Sequence, residues 1–191
     1  CPQKLYKILK PAIELMAGIP SIVYGFFGLM VIVPAMKNVF GGSGKGMLTA
    51  SVLLGIMILP TIIGVAESAI RAVPRELRSA SLALGASKIQ TIFKVVLPVA
   101  KSGIVSAIVL GVGRAIGEAM AVMMVAGNVA NMPSLFQSVR FLTTAVASEM
   151  SYASYGSLQR EALFSIALVL FLFIMLINAT LNFFLKRSKE G

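Results

Sequence analysis

The chain has 191 residues, 58% of them hydrophobic and 13% charged, with a mean hydropathy of +0.91. Soluble domains carry about 25% charged residues; half that share cannot clothe a soluble surface, and disorder needs low hydrophobicity. His and Asp are absent and Cys1 is the lone cysteine, which removes imidazole bases, His-ligated metals, internal disulfides and cysteine clusters, so no cofactor is expected and an integral membrane protein remains.

The 17 Lys and Arg give a net charge of +10. In a soluble protein that excess suggests nucleic acid. Here the basic residues flank apolar runs, so they read as determinants of membrane orientation, with lipid rather than nucleic acid as the partner.

The first uncharged run is Leu15 to Met36, 22 residues. At about 1.5 Å per residue it can cross a hydrocarbon core of roughly 30 Å, and it predicts a helix over about 13–36. Pro20 sits inside it and predicts a kink. Next come Gly41, Gly42, Gly44 and Gly46 around Ser43 and Lys45. This stretch has only a superficial likeness to a phosphate-cradling loop: Val39 stands at the first glycine position and no strand precedes it. It reads as a flexible outer turn.

The second run, Gly46 to Ala66, predicts a helix over about 46–68 with a kink at Pro60. Glu67 at its end reads as an interfacial charge. The segment 71–101 follows, rich in basic residues. Pro74 and Glu76 suit the start of a helix, Leu77, Ala80, Ser81 and Leu84 fall on one face, and Gly85 is placed to end it. Ser87 and Gln90 have capping-box spacing. They start a second short helix with an apolar stripe of Ile89, Ile92, Phe93, Val96 and Leu97, stopped or kinked by Pro98. Two readings stay open here: a loop on lipid headgroups, or an element docking into a groove of a soluble partner.

The third crossing is expected over about 102–127, and it carries Arg114 and Glu118. A central Arg costs about 2.5–3.5 kcal/mol on insertion scales, so it should face protein or water. Glu118 is expected one turn on, on the same face. A self-neutralising pair and a site on an anion path both fit, since the guanidinium fork suits phosphate. Gly113 and Gly117 have the spacing of a close helix contact. In the outer connection 128–160, Leu135, Val139, Leu142, Val146 and Met150 predict an amphipathic helix. Thr143 and Thr144 read as ordinary helix residues. The last crossing is expected over about 162–185, followed by Lys186, Arg187 and Lys189 as an anchor.

Twelve basic residues lie on the side of the two chain ends and the 71–101 segment, against four (Lys37, Lys45, Arg140, Arg160) on the other. The bias places both ends and that segment in the cytoplasm. The fold class is therefore all-α: one polytopic bundle over 1–191 with four membrane-spanning helices.

Ser79 to Gly85, nine residues, then Val95-Val96-Leu97-Pro98 resemble the cytoplasmic coupling loop of ABC importer permeases, whose pattern is E-A-A-x3-G-x9-I-x-L-P. Ala80, Gly85, Leu97 and Pro98 match; Ser79, Ser81 and Val95 depart from the pattern. Ala17 to Gly25 and Gly113 to Val122 resemble the phosphate-specific permeases, and Met123 to Asn128 resembles their PstC-type subunit. The resemblance spans roughly residues 11 to 185.

It implies a MetI-like type I importer core in the cell's inner membrane and a phosphate path that includes Arg114 and Glu118. It also implies an ATPase-coupling loop carried by Ser79, Ala80, Leu84, Gly85, Leu97 and Pro98. The implied partners are a second, PstA-like permease subunit, two ATP-binding subunits and a periplasmic or extracellular phosphate-binding protein. ATP hydrolysis resides in the partners. Family members have six helices, so two are expected before Cys1. The alternatives are a permease for another oxyanion (sulfate or molybdate), an intramembrane enzyme using Glu118, and a membrane scaffold without a path.

Overall fold

The computed structural model describes residues 3–190. Among them the regular structure is helical, with one isolated backbone bridge between Gly127 and Val139. In chain order the helices are α1 (Gln3–Gly18), α2 (Ser21–Phe40), α3 (Met47–Arg71), α4 (Arg75–Ala83), α5 (Lys88–Ile116), α6 (Met120–Ala126), α7 (Leu142–Glu149) and α8 (Leu158–Glu190). Four are long and apolar enough to cross a membrane: α2, α3, α5 and the Leu158–Leu181 stretch of α8.

The first crossing starts later than the apolar run suggests. Gly18 ends α1, and Pro20 is the extended N-cap of α2, with φ −60° and ψ 143°. A residue before proline is pushed out of the helical region, so the expected kink is a complete break. The Tyr24 hydroxyl donates to the Met16 carbonyl at 2.8 Å and ties the two helices together across it.

Pro34 and Pro98 do not stop their helices. Each is preceded by a π turn, Gly28–Ile32 in α2 and Ile92–Val96 in α5, closed by Val33 N–H on the Gly28 carbonyl and Leu97 N–H on the Ile92 carbonyl. The wider turn relieves the clash a proline ring makes with the preceding one. The expected second short helix and third crossing are therefore one continuous helix of 29 residues, α5.

The main core joins α2, α3 and α6 through Tyr24, Ile32, Leu53, Met57, Val122 and Val125. Gly25 and Gly28 let α6 approach closely: a Cβ on Gly25 would meet the Ala121 backbone, and one on Gly28 the Val125 side chain. A smaller core of Val73, Val96 and Ala100 sits where α3, α4 and α5 meet. The turn between α2 and α3 uses glycines at positive φ (Gly41, Gly42, Gly44), as its composition suggests.

The connection between α6 and α8 forms less helix than its periodicity predicts. Before α8 begins, α7 is its one helix among the described residues, and residues 128–141 run irregularly across the start of α3 and the end of α6. Leu48 N–H donates to the Leu135 carbonyl at 3.0 Å, and Val139 N–H to the Ala126 carbonyl at 3.0 Å. Pro133 lacks the N–H a helix there needs. Arg140 holds the segment by donating to the Asn128 carbonyl (3.1 and 3.3 Å) and pairing with Glu149. Cys1 and the side chains of Lys186, Arg187 and Lys189 lie outside the described set.

Candidate functional site: a broken crossing helix and a basic hairpin

Helix α5 presents a stripe of small residues to α3: Ala100, Gly103, Ala107 and Gly111. A Cβ on Gly103 would strike Ala69, and one on Gly111 would press on Ile62. Such a stripe brings backbones together in lipid, where apolar burial gives no drive. It is this stripe, not the Gly113/Gly117 spacing, that makes the close contact. Gly113 faces Asn178 of α8, and Gly117 is the C-cap of α5.

Arg114 lies three residues beyond Gly111, in the last turn of α5, not near the middle of a helix over 102–127. Its Nη1 donates to Thr61 Oγ1 of α3 at 3.2 Å. The helix then ends, because Gly117 has low helix propensity and Glu118 supplies an alternative partner for the backbone. Glu118 Oε1 accepts Ala121 N–H at 3.0 Å, so the carboxylate caps α6. The Thr143 hydroxyl donates to the Glu118 carbonyl at 3.1 Å, joining α7 to the break.

Arg114 and Glu118 therefore do not form the self-neutralising pair that is one of the two readings their spacing allows. The ion pairs among the described residues involve neither of them. The cation stands at the negative end of α5 and the anion at the positive end of α6, matches worth about 0.3–1 kcal/mol each. Glu118 also borders a cavity of about 310 Å³ lined by Leu54, Ile116, Val122, Phe141 and Thr143. The sequence does not single out Thr61, and Thr143 reads there as an ordinary helix residue; their signal is a hydroxyl within or beside apolar sequence, which by itself names no partner. No three potential metal ligands gather among the described residues.

The second candidate region is the hairpin of α4 and the start of α5. Gly85 has φ +84° and reverses the chain as its position predicts. Ser87 and Gln90 form the expected reciprocal cap, at 3.2 and 2.8 Å. Ser81 and Thr91 bring their hydroxyls to 3.0 Å and tie the two arms together. Arg78 Nη2 donates to the Ile70 carbonyl at 2.7 Å, fixing α4 against the end of α3; nothing in the local sequence announces that contact.

The hairpin leaves apolar side chains open: Leu84 is 89% exposed, Ile89 69% and Phe93 66%. An open groove of about 610 Å³ runs beside them, lined by Leu77, Leu84, Gln90 and Lys94. Ser79 and Ala80 are also exposed, and the Ser79 hydroxyl donates to the Glu76 carbonyl at 3.0 Å. Leu97 and Pro98 lie off this tip, at the start of the regular α-helical part of α5.

Glu67 is more than an isolated interfacial charge. Its Oε1 accepts from the Tyr6 hydroxyl and from Arg71 Nε, each at 2.6 Å, with Lys10 Nζ at 3.6 Å. The neighbouring Tyr6 hydroxyl, and then the Glu67 carboxylate, hold the Lys10 ammonium above its ordinary range.

Four helices long and apolar enough to cross a membrane, with a hairpin of exposed apolar side chains between two of them, describe a multi-pass membrane protein. The chain belongs to the family of binding-protein-dependent transport system inner membrane components, whose model matches residues 2–190.

It is 46% identical over 178 residues to the probable ABC transporter permease protein YqgH of Bacillus subtilis (strain 168), covering 90% of this chain and 58% of that protein. It is 36% identical over 213 residues to the phosphate transport system permease protein PstC of Pasteurella multocida (strain Pm70), covering 100% of this chain and 66% of that one. The chain thus spans 58% and 66% of the length of these relatives. Two inward-facing structures of the MetNI methionine ABC transporter share its fold, with TM-scores of 0.70 and 0.73 at 22% identity, over 97% of this chain and 76% of the matched chain.

Proposed function

We propose that the chain is a membrane-spanning permease subunit of an ATP-driven phosphate importer, paired with a second permease subunit, two ATP-binding subunits and a phosphate-delivering receptor. The observation that carries this reading is Arg114: a guanidinium at a break in a crossing helix, with no ion-pair partner among the described residues. Unpaired cations inside a membrane mark ion pathways, and the planar fork binds a phosphate oxygen pair. Relatives named phosphate transport system permeases support the choice of anion.

In this reading the cytoplasmic side carries both chain ends and the hairpin. The exposed Leu84, Ile89 and Phe93 seat in an ATPase subunit, and ATP-driven closure there alternates access to Arg114 from the two sides. Glu118 tempers the positive potential, so the anion is held weakly enough to leave. The chain itself hydrolyses nothing.

Radiolabelled phosphate uptake by the reconstituted complex tests this. Replacing Arg114 with Leu removes a charged hydrogen-bond donor worth about 1.5–3 kcal/mol, and uptake is expected to fall at least about tenfold. Sulfate or molybdate uptake without phosphate uptake would overturn the assignment in favour of another oxyanion. Substrate turnover by the isolated chain would favour an enzyme using Glu118.

A further inference from the structure

Hydroxyl groups inside membrane helices ordinarily spend their hydrogen on the carbonyl four residues back. Ser51, Ser68, Ser106, Ser165 and Thr180 all do so here, at 2.8–3.0 Å. Thr61 has the same option at Met57 but makes no such bond among the described residues. Its Oγ1 instead accepts from Arg114 Nη1, 53 positions away in sequence. Thr61 directly follows the buried Pro60, where α3 loses one rung of its backbone ladder.

A threonine hydroxyl has one donor and two acceptor sites, and a guanidinium has five N–H donors. With Thr61 Oγ1 accepting from Arg114, the Thr61 O–H and the remaining Arg114 N–H groups are left side by side where α3 crosses α5. Donors there outnumber the one acceptor site left on Thr61 Oγ1, so the cluster suits a species with several acceptor oxygens.

We propose that Thr61 is a second anion-facing residue of the path: it orients Arg114 by accepting from Nη1 and donates its own O–H to an oxygen of the same tetrahedral oxyanion. The proposal rests on the transport reading above and adds α3 to what that reading assigns to α5. A hydroxyl serving only to pack the α3–α5 contact would be replaced without loss by the isosteric valine. A ligand-bearing hydroxyl would be replaced only by serine.

The test measures phosphate moved per ATP hydrolysed by the complete complex in proteoliposomes, for wild type, Thr61→Val, Thr61→Ser and Arg114→Leu. A damaged fold slows transport and hydrolysis together, whereas a lost anion contact lowers their ratio. Thr61→Val is expected to lower the ratio about tenfold, as loss of a hydrogen bond to a charged group implies, and Thr61→Ser to restore most of it. If Thr61→Val fails to assemble, Thr61→Ala removes the same hydroxyl without added bulk. A Val or Ala variant with the wild-type ratio, alongside an Arg114→Leu variant that has lost it, would overturn the role of Thr61 and leave the path standing. A wild-type complex that moves no phosphate would end both.

Discussion

At the scale of single residues, Arg114 and Glu118 show how two charges at the end of a crossing persist without each other. Each is matched to a helix end and to one hydroxyl-bearing neighbour, Thr61 for the guanidinium and Thr143 for the Glu118 carbonyl. Two glycines make a sharper test of the α3–α5 contact. At Gly103 an added Cβ meets Ala69, which has no rotamer to escape into, whereas Gly55 has open space. Gly103→Ala is expected to lower the thermal midpoint in detergent, at an overpacking cost of about 1–3 kcal/mol. Gly55→Ala should raise it through about 0.5–1 kcal/mol of helix propensity. Equal shifts would mean the seam is looser than described. The charged residues were legible in sequence because a charge in an apolar run stands out. Their partners were not, because Thr61 lies 53 positions from Arg114 and Thr143 lies 25 from Glu118.

At the scale of elements, what was legible is what is local. The Ser87–Gln90 cap, the Gly85 reversal and the Gly-rich turn depend on residues within a few positions of one another, and they form as the sequence predicts. The fate of a proline depends on the turn before it. Pro20 breaks a helix, Pro60 stays inside one, and Pro34 and Pro98 each follow a π turn. No sequence period separates these outcomes, so the crossing bounds near 20 and 98 were misplaced. The hairpin carries its own prediction. With Leu84 at 89% exposure, Leu84→Asp costs this chain little stability but puts a charge where a partner groove would be apolar. In a pull-down, Leu84→Asp and Gly85→Pro are each expected to reduce ATPase subunit recovered with the chain about tenfold, a loss of about 1.4 kcal/mol. Wild-type recovery with both variants would remove the docking role.

At the scale of the whole molecule, α1 is held to α3 by one carboxylate serving Tyr6, Arg71 and Lys10. Arg71 also donates to the Tyr6 hydroxyl, and its guanidinium lies over the Tyr6 ring. Glu67→Gln removes the shared charge. Hydrogen exchange over residues 3–18 is then expected to accelerate while α3 stays protected, and added salt should reproduce part of the effect because these groups are partly exposed. Unchanged exchange would assign the attachment of α1 to Tyr24 and Met16 instead. Helix α8 is the opposite case: only 6% of its apolar window is buried, and Phe164, Leu168, Leu172 and Phe173 face outward. Its apolar length was plain in the sequence, but whether lipid or another subunit covers it is not a property of one chain.

The seam from Gly103 to Gly111 has a mechanical corollary. Two backbones that close, with side chains that small, cannot part without leaving a void that nothing nearby can fill. Along that seam, then, separating α3 from α5 carries a cost that shifting them jointly avoids. Arg78 donates to the Ile70 carbonyl at the hairpin end of α3, so the hairpin is moored to the same helix that bears Thr61.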